Sequence, residues 1–235
     1  MILPMIGQTG SFQRPSADLG DVQDLYLHGY VSSRIMRLSR ESSDGGGEEK
    51  GLPITVAASH VDGLVLALTP NAHSYVGLPI SCMLSKLIRR VQNYRSAVLF
   101  GHASLVTDVD EKLFAMELIT NSVVPQRWPN TRVPPNGAEM SSTSVLKVTI
   151  ANGSAKIRQG LPHDEKYDIQ DENVLDRVWT GVVPVYPTLG ELVPGPYNRV
   201  ERPGYLTEFQ KDFNDAAREQ AMAATVEPTQ DKTKS

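Results

Sequence analysis

The chain has 235 residues, a formal net charge of −4 at pH 7 and a single cysteine. This length allows one large domain or two small ones with a real hydrophobic core. The charge gives no general attraction for nucleic acid or an anionic membrane, and one cysteine excludes a disulfide framework. No run reaches the roughly 18 apolar residues that a membrane span needs, and the first ten residues, MILPMIGQTG, lack a basic signal-peptide region. We therefore expect a cytoplasmic protein.

The first part of the chain predicts two strands and a helix. Residues 2–6 (ILPMI) are apolar and begin abruptly, like a strand that has lost its front half. Residues 24–28 (DLYLH) alternate as a strand does. The helix that follows is entered through Ser32 and Ser33, because hydroxyl side chains satisfy the free amide donors of a first helical turn. It ends in DGGGEEKG, which is typical of a solvated loop.

The middle of the chain is rich in β-forming residues. Residues 54–59 and 64–68 are separated by an Asp-Gly pair at 62–63, which predicts a hairpin. Residues 95–106 predict a further strand or bent strand pair, in which Gly101 marks a bulge or a close approach of two backbones.

The second half adds a helix and two strands. A helix is predicted from Asp108, with Glu111 three residues later as in a capping box. Strands are predicted at 144–150 and 177–185, and the chain beyond Pro194 is polar and partly helical, with a disordered end. The order of elements predicts an α+β, mainly β fold, an antiparallel barrel with helices at its rim.

Five segments, in this order, resemble the pyridoxamine 5′-phosphate oxidase-like flavoproteins, and among them the branch that includes the nitroimidazole-resistance proteins. They are YLHGYVSSRIMR, TVAASHVDGLVLAL, NAHSY with NYRSAVLFGHASLVTD, SAKIRQGLP and VWTGVVPV. The resemblance implies an FMN-binding split β-barrel of about six antiparallel strands with peripheral helices. It implies a homodimer that holds FMN between its subunits. The domain spans residues 1–187, and residues 188–235 are a polar, partly disordered C-terminal extension.

The first candidate site is a flavin phosphate site at Ser32, Ser33 and Arg34. A phosphate needs hydroxyl and guanidinium donors near a helix start, where free amides and the helix dipole also favour an anion. The triplet resembles the Ser-Arg-Lys phosphate clamp of the oxidases proper, but Ile35 stands where the lysine would be, so fewer charges hold the phosphate. The alternative is a capped surface helix with an unrelated arginine.

The second candidate site combines His73, Ser74, Asn93, Tyr94 and Arg95. The resemblance implies that they form one strand-to-strand element beside the flavin ring, with His73 and Arg95 as catalytic residues facing the substrate. A histidine with a pKa near 6.5 can donate a proton or a hydrogen bond near neutrality. The alternative is that His73 caps a loop and Arg95 makes a structural ion pair.

A third group comprises Lys156, Arg158 and Trp179. Lys156 and Arg158 occupy alternate positions of an extended segment, so they form a basic pair for the phosphate or an anionic substrate, or else a solvated basic edge. Trp179 either walls the flavin or is a buried core residue. The five histidines lack ligand spacing of the HExxH kind, so we expect no metal site.

Residues 76–92 interrupt this pattern, because the family runs HSY directly into NYRS. As protein, they form an amphipathic excursion that could close over the flavin or bind a partner. As a translated intron, they begin with a codon that starts GT, as Val76 requires, and can end in CAG for Gln92. We favour the intron. Relatives also have a helix and a strand before the segment that matches LPMIG, so we expect the N-terminus to be incomplete.

These observations predict an FMN-dependent oxidoreductase of the superfamily that acts on an unknown small molecule, with NAD(P)H or another reductant. We expect no nucleic-acid or membrane partner. The alternatives are a non-catalytic flavin-binding protein and an inactive product of a wrongly spliced gene.

Overall fold

The computed structural model describes residues 2–16, 20–44, 51–69 and 91–227. One antiparallel sheet holds six strands in the order β1-β2-β5-β4-β3-β6. The strands are β1 (Ile6–Gly10), β2 (Asp24–Tyr30), β3 (Leu52–Leu66), β4 (Val91–Leu105), β5 (Thr143–Arg158) and β6 (Gly181–Pro184). The helices are α1 (Arg34–Asp44), α2 (Val109–Val123), α3 (Gly137–Ser142), α4 (Glu172–Leu175) and α5 (Gly204–Ala223). The predicted α+β, mainly β class with about six antiparallel strands is confirmed.

The chain divides into two compact units. Unit 1 comprises Met1–Ala57, Val98–Ser154 and Arg202–Phe209. Unit 2 comprises Ala58–Ala97, Ala155–Glu201 and Gln210–Ser235. Within the described ranges, no helix combines the length and the apolar character needed to cross a bilayer.

In unit 1, β2 is buried on both faces. It pairs with β1 in the register Ile6↔His28 and with β5 in the register Leu25↔Val148. Because successive strand residues point to opposite faces, alternate residues of β2 enter two apolar clusters. One cluster contains Leu25, Leu27, Met36, Ala103, Leu146 and Val148, and the other contains Tyr26, Val106, Ala115, Ile119 and Val145. Helix α1 thus contributes to one core and α2 to the other.

Helix α2 begins as predicted, but its capping box is only half formed. The Asp108 carboxylate accepts a hydrogen bond from the Glu111 amide at 2.7 Å. The Glu111 carboxylate instead accepts from the Tyr26 hydroxyl at 2.8 Å and from Lys147 Nζ at 2.9 Å. Burial and this hydrogen bond raise the pKa of Tyr26 well above its ordinary value. A complete capping box, between Asn136 and Glu139, opens α3 instead.

The predicted hairpin at the Asp-Gly pair is wrong. Strand β3 runs without a turn from Leu52 to Leu66 and carries Asp62 and Gly63 in its middle. The glycine serves a close approach to β6, because a Cβ on Gly63 would lie 2.8 Å from Val182 Cγ1. Strand β6 pairs there in the register Gly63↔Pro184, and it is shorter than the predicted segment at 177–185.

The C-terminal region contains more structure than its polar composition indicated. Helix α5 has 20 residues, and Ala221 and Ala224 are buried. The last eight residues, 228–235, lie outside the described residues, as do residues 76–90 of the predicted insertion. Residues 91 and 92 begin β4. The insertion and the incomplete N-terminus therefore stay predictions.

The close approach predicted at Gly101 is present in unit 1. A Cβ built on Gly101 would lie 2.3 Å from the carbonyl oxygen of Thr149, which belongs to the neighbouring strand and cannot move away. Gly137, in the first turn of α3, has open space around it.

We expect Gly101→Ala to reduce the free energy of unfolding by about 1–3 kcal/mol, because the added methyl group overpacks the sheet. The control Gly137→Ala should leave stability unchanged or raise it by about 0.5–1 kcal/mol, since alanine favours a helix. Urea unfolding followed by circular dichroism measures both variants. Equal stabilities for the two would contradict the close approach.

Candidate functional site

The start of α1, in unit 1, holds a buried hydroxyl group that lacks a partner. Ser33 lies directly before the first helical residue: its amide donates to the Tyr30 carbonyl at 2.9 Å, and its carbonyl accepts from the Arg37 amide at 3.2 Å. Its Oγ is buried and makes no hydrogen bond to any part of the chain that the structure describes. A buried hydroxyl without a partner costs about 1–3 kcal/mol, so this atom would gain from a hydrogen bond to a group outside the described residues.

The surroundings of Ser33 fit an anion. Ser32 and Arg34 flank it and are exposed, and the first turn of α1 contains no acidic residue. A Cβ on Gly29 would lie 2.6 Å from Met36 Cε and 3.9 Å from Ser33 Oγ, so the glycine leaves room beside the hydroxyl. The start of α1 thus carries two hydroxyl groups, a guanidinium and the free amides of a first helical turn, as the sequence predicted.

Asn93, in unit 2, has a fully buried side chain that joins three segments of the chain. Its Nδ2 donates to the carbonyls of Gly160 at 3.1 Å and Ala224 at 2.7 Å, and its Oδ1 accepts from Arg158 Nη1. Gly160 also donates its amide to the Ala224 carbonyl at 2.8 Å. Both N–H groups of the amide are therefore used within the protein, and Asn93 holds the end of α5 in place.

Arg158 is partly buried beside Asn93, and burial lowers the pKa of its guanidinium. Its neighbour on the strand, Lys156, turns elsewhere, since Lys156 Nζ lies 5.9 Å from the centre of the Tyr94 ring. The two cations expected to act as a pair thus contact different groups. Lys156 and Tyr94 form a cation–π contact that leaves the ammonium exposed.

Trp179 is 66% exposed, so it is not a core residue. Its ring covers the backbone of Gly181, where an added Cβ would lie 2.7 Å from Trp179 Cη2. Gly181 has a φ of 150°, a conformation that favours glycine. The indole is therefore positioned at the surface of unit 2.

Arg95 forms a bidentate ion pair with Asp62. Its Nε and Nη2 donate to the two carboxylate oxygens, each at 2.9 Å, and this hydrogen bonding raises the pKa of Arg95. Asp62 is almost fully buried and also contacts His60 Nδ1 at 3.1 Å. The structural ion pair that the sequence left open as an alternative is present, on a guanidinium that remains partly exposed.

Two of the predicted residues, His73 and Ser74, lie outside the described residues. Sequence reasoning missed Asp62 and His60, because Asp62 was interpreted as part of a turn. The available signal was their alternate spacing, which puts both side chains on one face of a strand. Over the described ranges, no group of three or more His, Cys, Asp or Glu residues could hold a metal ion.

Comparison with known proteins gives matches in sequence and in fold. A family described as pyridoxamine 5′-phosphate oxidase matches residues 77–157. The flavocytochrome Anf3 from Azotobacter vinelandii is similar with 25% identity and a TM-score of 0.58, over 79% of this chain and 72% of that protein. The FAD and heme binding protein from Mycobacterium smegmatis is similar with 25% identity and a TM-score of 0.61, over 82% and 79%. No curated protein matches the chain significantly.

We expect Asn93→Ala to lower the free energy of unfolding by about 2–3 kcal/mol, because it removes a side-chain donor from each of the buried carbonyls of Gly160 and Ala224 and an acceptor from Arg158. The amides of Gly160 and of the last turn of α5 should then exchange with solvent faster than those of α2. Asn198→Ala, which removes an exposed amide bonded to the Val200 carbonyl, is the control and should change stability by less than about 0.5 kcal/mol. Unchanged exchange at Gly160 would contradict the role of Asn93.

Proposed function

Because the chain belongs to the pyridoxamine 5′-phosphate oxidase-like split-barrel family, we propose that it binds FMN and is a flavin-dependent oxidoreductase acting on a small molecule. One observation carries the cofactor proposal: the buried Oγ of Ser33 at the start of α1, between Ser32 and Arg34, has no hydrogen-bond partner among the described residues. The two similar structures are named as a flavocytochrome and as a protein that binds FAD and heme, which supports a flavin as the class of cofactor. The narrower assignment to the nitroimidazole-resistance branch stays a prediction.

The phosphate group of FMN suits the start of α1 on three grounds. The helix dipole places roughly half a positive charge there, and the free amides of the first turn point outward. Ser33 and Ser32 would donate hydroxyl hydrogens, and Arg34 would supply a charge-assisted hydrogen bond. With Ile35 in place of a lysine, Arg34 is the single cation of the triplet, so its loss should weaken phosphate binding strongly.

The remaining predicted residues keep their proposed roles, except that Asn93 and Arg158 would act indirectly. Tyr94, Lys156 and Trp179 present accessible aromatic and cationic groups on unit 2, which supports contacts with a flavin ring or its substituents. Asn93 and Arg158 bond to each other, so they would act by holding the neighbouring backbone. Arg95, and His73 with Ser74 beyond the described residues, stay proposals for the substrate side.

A homodimer with the flavin between its subunits is part of the proposal. Large apolar side chains on unit 1 are exposed, which supports an interface there, among them Ile6, Tyr30 and Phe100. The proposed location is the cytoplasm. A bound flavin would supply hydride-transfer chemistry with NAD(P)H or another reductant, and the chain's own residues would bind it, orient the substrate and exclude water.

We expect the protein to bind FMN at least about tenfold more tightly than riboflavin, which has the same ring system and no phosphate. Ser33→Ala and Arg34→Gln should each remove most of that preference. Arg40→Gln removes an exposed charge from the same helix about two turns later and should leave the preference intact. Quenching of flavin fluorescence measures all four proteins.

The stability of the Ser33→Ala variant without flavin distinguishes a phosphate-binding role of Ser33 from simple helix capping. A capping hydroxyl contributes about 1 kcal/mol, so its removal would destabilise the protein without flavin. The Ser33 hydroxyl makes no such bond, and we expect Ser33→Ala to be at least as stable as the parent when flavin is absent. An unaltered preference for FMN over riboflavin in this variant would contradict the phosphate site.

Turnover distinguishes an enzyme from a flavin-binding protein without activity. We expect NADH or NADPH to bleach the visible absorbance of the bound flavin under anaerobic conditions, and a quinone or nitroaromatic acceptor to restore it. The same flavin-loaded protein with acceptor but without reductant is the control. If neither nucleotide bleaches the flavin and neither acceptor is turned over, the chain is a non-catalytic flavin-binding protein.

A further inference from the structure

A second cluster of functional groups lies in unit 2 and consists of Asp62, His60 and Arg95, which we call the Asp62 cluster. The Asp62 side chain is 2% exposed, whereas the side chains of Arg95 and His60 are 42% and 45% exposed. The carboxylate accepts two hydrogen bonds from Arg95 and contacts His60 Nδ1 at 3.1 Å. A buried anion thus orients two basic side chains that both reach solvent.

Arg95 retains free donors after this pairing. A guanidinium carries five N–H groups, and the Asp62 carboxylate uses one on Nε and one on Nη2. Among the residues that the structure describes, none accepts from the two N–H groups of Nη1 or from the second N–H of Nη2, and the Arg95 side chain is 42% exposed. Because the carboxylate holds the planar fork in position, little rotational freedom is lost when these donors bind a ligand.

The contact with Asp62 also determines which nitrogen of His60 is available. An ionised carboxylate only accepts hydrogen bonds, so Nδ1 of His60 is the donor. In the neutral imidazole Nε2 then carries a lone pair, and in the protonated imidazole Nε2 becomes a second donor. No residue in the described ranges contacts Nε2.

The charges of the cluster favour an anion only when His60 is protonated. Asp62 and Arg95 cancel each other, so a neutral His60 leaves the cluster without net charge and a protonated His60 gives it one positive charge. Within the described ranges, the charged groups joined to the imidazole are Asp62 on its own strand and, through one oxygen of that carboxylate, Arg95 on β4. Strand β6, paired with β3, has the sequence GVVP and contributes no titratable side chain.

We propose that His60 and Arg95 bind the oxyanion group, carboxylate or phosphate, of a small organic molecule, and that His60 takes up a proton when it binds. Asp62 is the positioning residue that presents both donors. Arg95 already neutralises Asp62, so the buried carboxylate does not need His60 for its charge, and the histidine is the part of the cluster left for a ligand. The inference does not require a flavin and is tested without one.

The test measures the pKa of His60 by NMR, from its ring proton signals, in three sodium salts of equal ionic strength: chloride, phosphate and acetate. We expect phosphate, acetate or both to raise the pKa of His60 by about half a unit or more, which is about a threefold increase in proton affinity. His163, 76% exposed beside Glu227, serves as an internal control in the same spectra. A response to phosphate alone would identify phosphorylated ligands, and a response to acetate alone would identify carboxylic acids.

Conservative variants of Arg95 and His60, which should still fold, give a second test. Arg95→Lys retains the charge that neutralises Asp62 but loses the planar fork, and should weaken binding of the effective anion by about tenfold. His60→Gln can still donate to Asp62 and should abolish the proton uptake that calorimetry detects as a difference between buffers. Arg177→Lys, an exposed arginine bonded to the Asn173 carbonyl, is the matched control. The proposal is overturned if the pKa of His60 is the same in all three salts, or if it moves together with that of His163.

Discussion

A single buried amide determines how unit 2 is assembled. The side chain of Asn93 bonds to the backbone at Gly160 and at Ala224, and it accepts from Arg158. These residues belong to β4, to the end of β5 and the turn after it, and to the position directly after α5, so segments far apart in the sequence share one set of hydrogen bonds. Because every polar atom of the amide is used, a substitution that keeps its volume but not its polarity would leave several groups unsatisfied at once.

The polar side chains of the candidate sites differ in how many of their hydrogen-bonding groups have partners within the protein. The chain satisfies every polar atom of the Asn93 amide, Arg95 uses two of its five N–H groups, and the Oγ of Ser33 has no partner in the described part of the chain. In a folded protein buried polar atoms are nearly always paired, so the unpaired ones carry most information about ligands. This difference is the reason for proposing a cofactor phosphate at the start of α1 and a smaller anion at the Asp62 cluster.

Sequence reasoning predicted the fold class from the order of the elements and the resemblance. Local residue types predicted the helix start after Ser33 and, as one of two alternatives, the close approach at Gly101, although the Ser33 hydroxyl does not make the expected capping bond. Sequence reasoning failed at Asp62 and Gly63, where the same residue types that favour a turn serve a buried ion pair and a contact with β6 instead. Nothing local distinguishes these uses, since the arginine that pairs with Asp62 lies 33 residues away. The sequence could not show that Lys156 and Arg158 contact different groups, for the same reason. Arg158 bonds to Asn93 and Lys156 contacts the Tyr94 ring, and both partners belong to another strand.

The hydrogen bond between Asn93 and Ala224 spans 131 positions of the chain, and this has a consequence for biosynthesis. At a translation rate of about 5–20 residues per second, on the order of ten seconds pass between the synthesis of the two residues. Arg158 and Gly160 are synthesised about halfway through that interval, 65 and 67 positions after Asn93, so the Asn93 side chain can bond to them before Ala224 is made. The bond to Ala224 is therefore the last of these three hydrogen bonds that can form during synthesis. Until Ala224 is made, one N–H group of a side chain that is fully buried in the folded protein has only solvent or temporary partners.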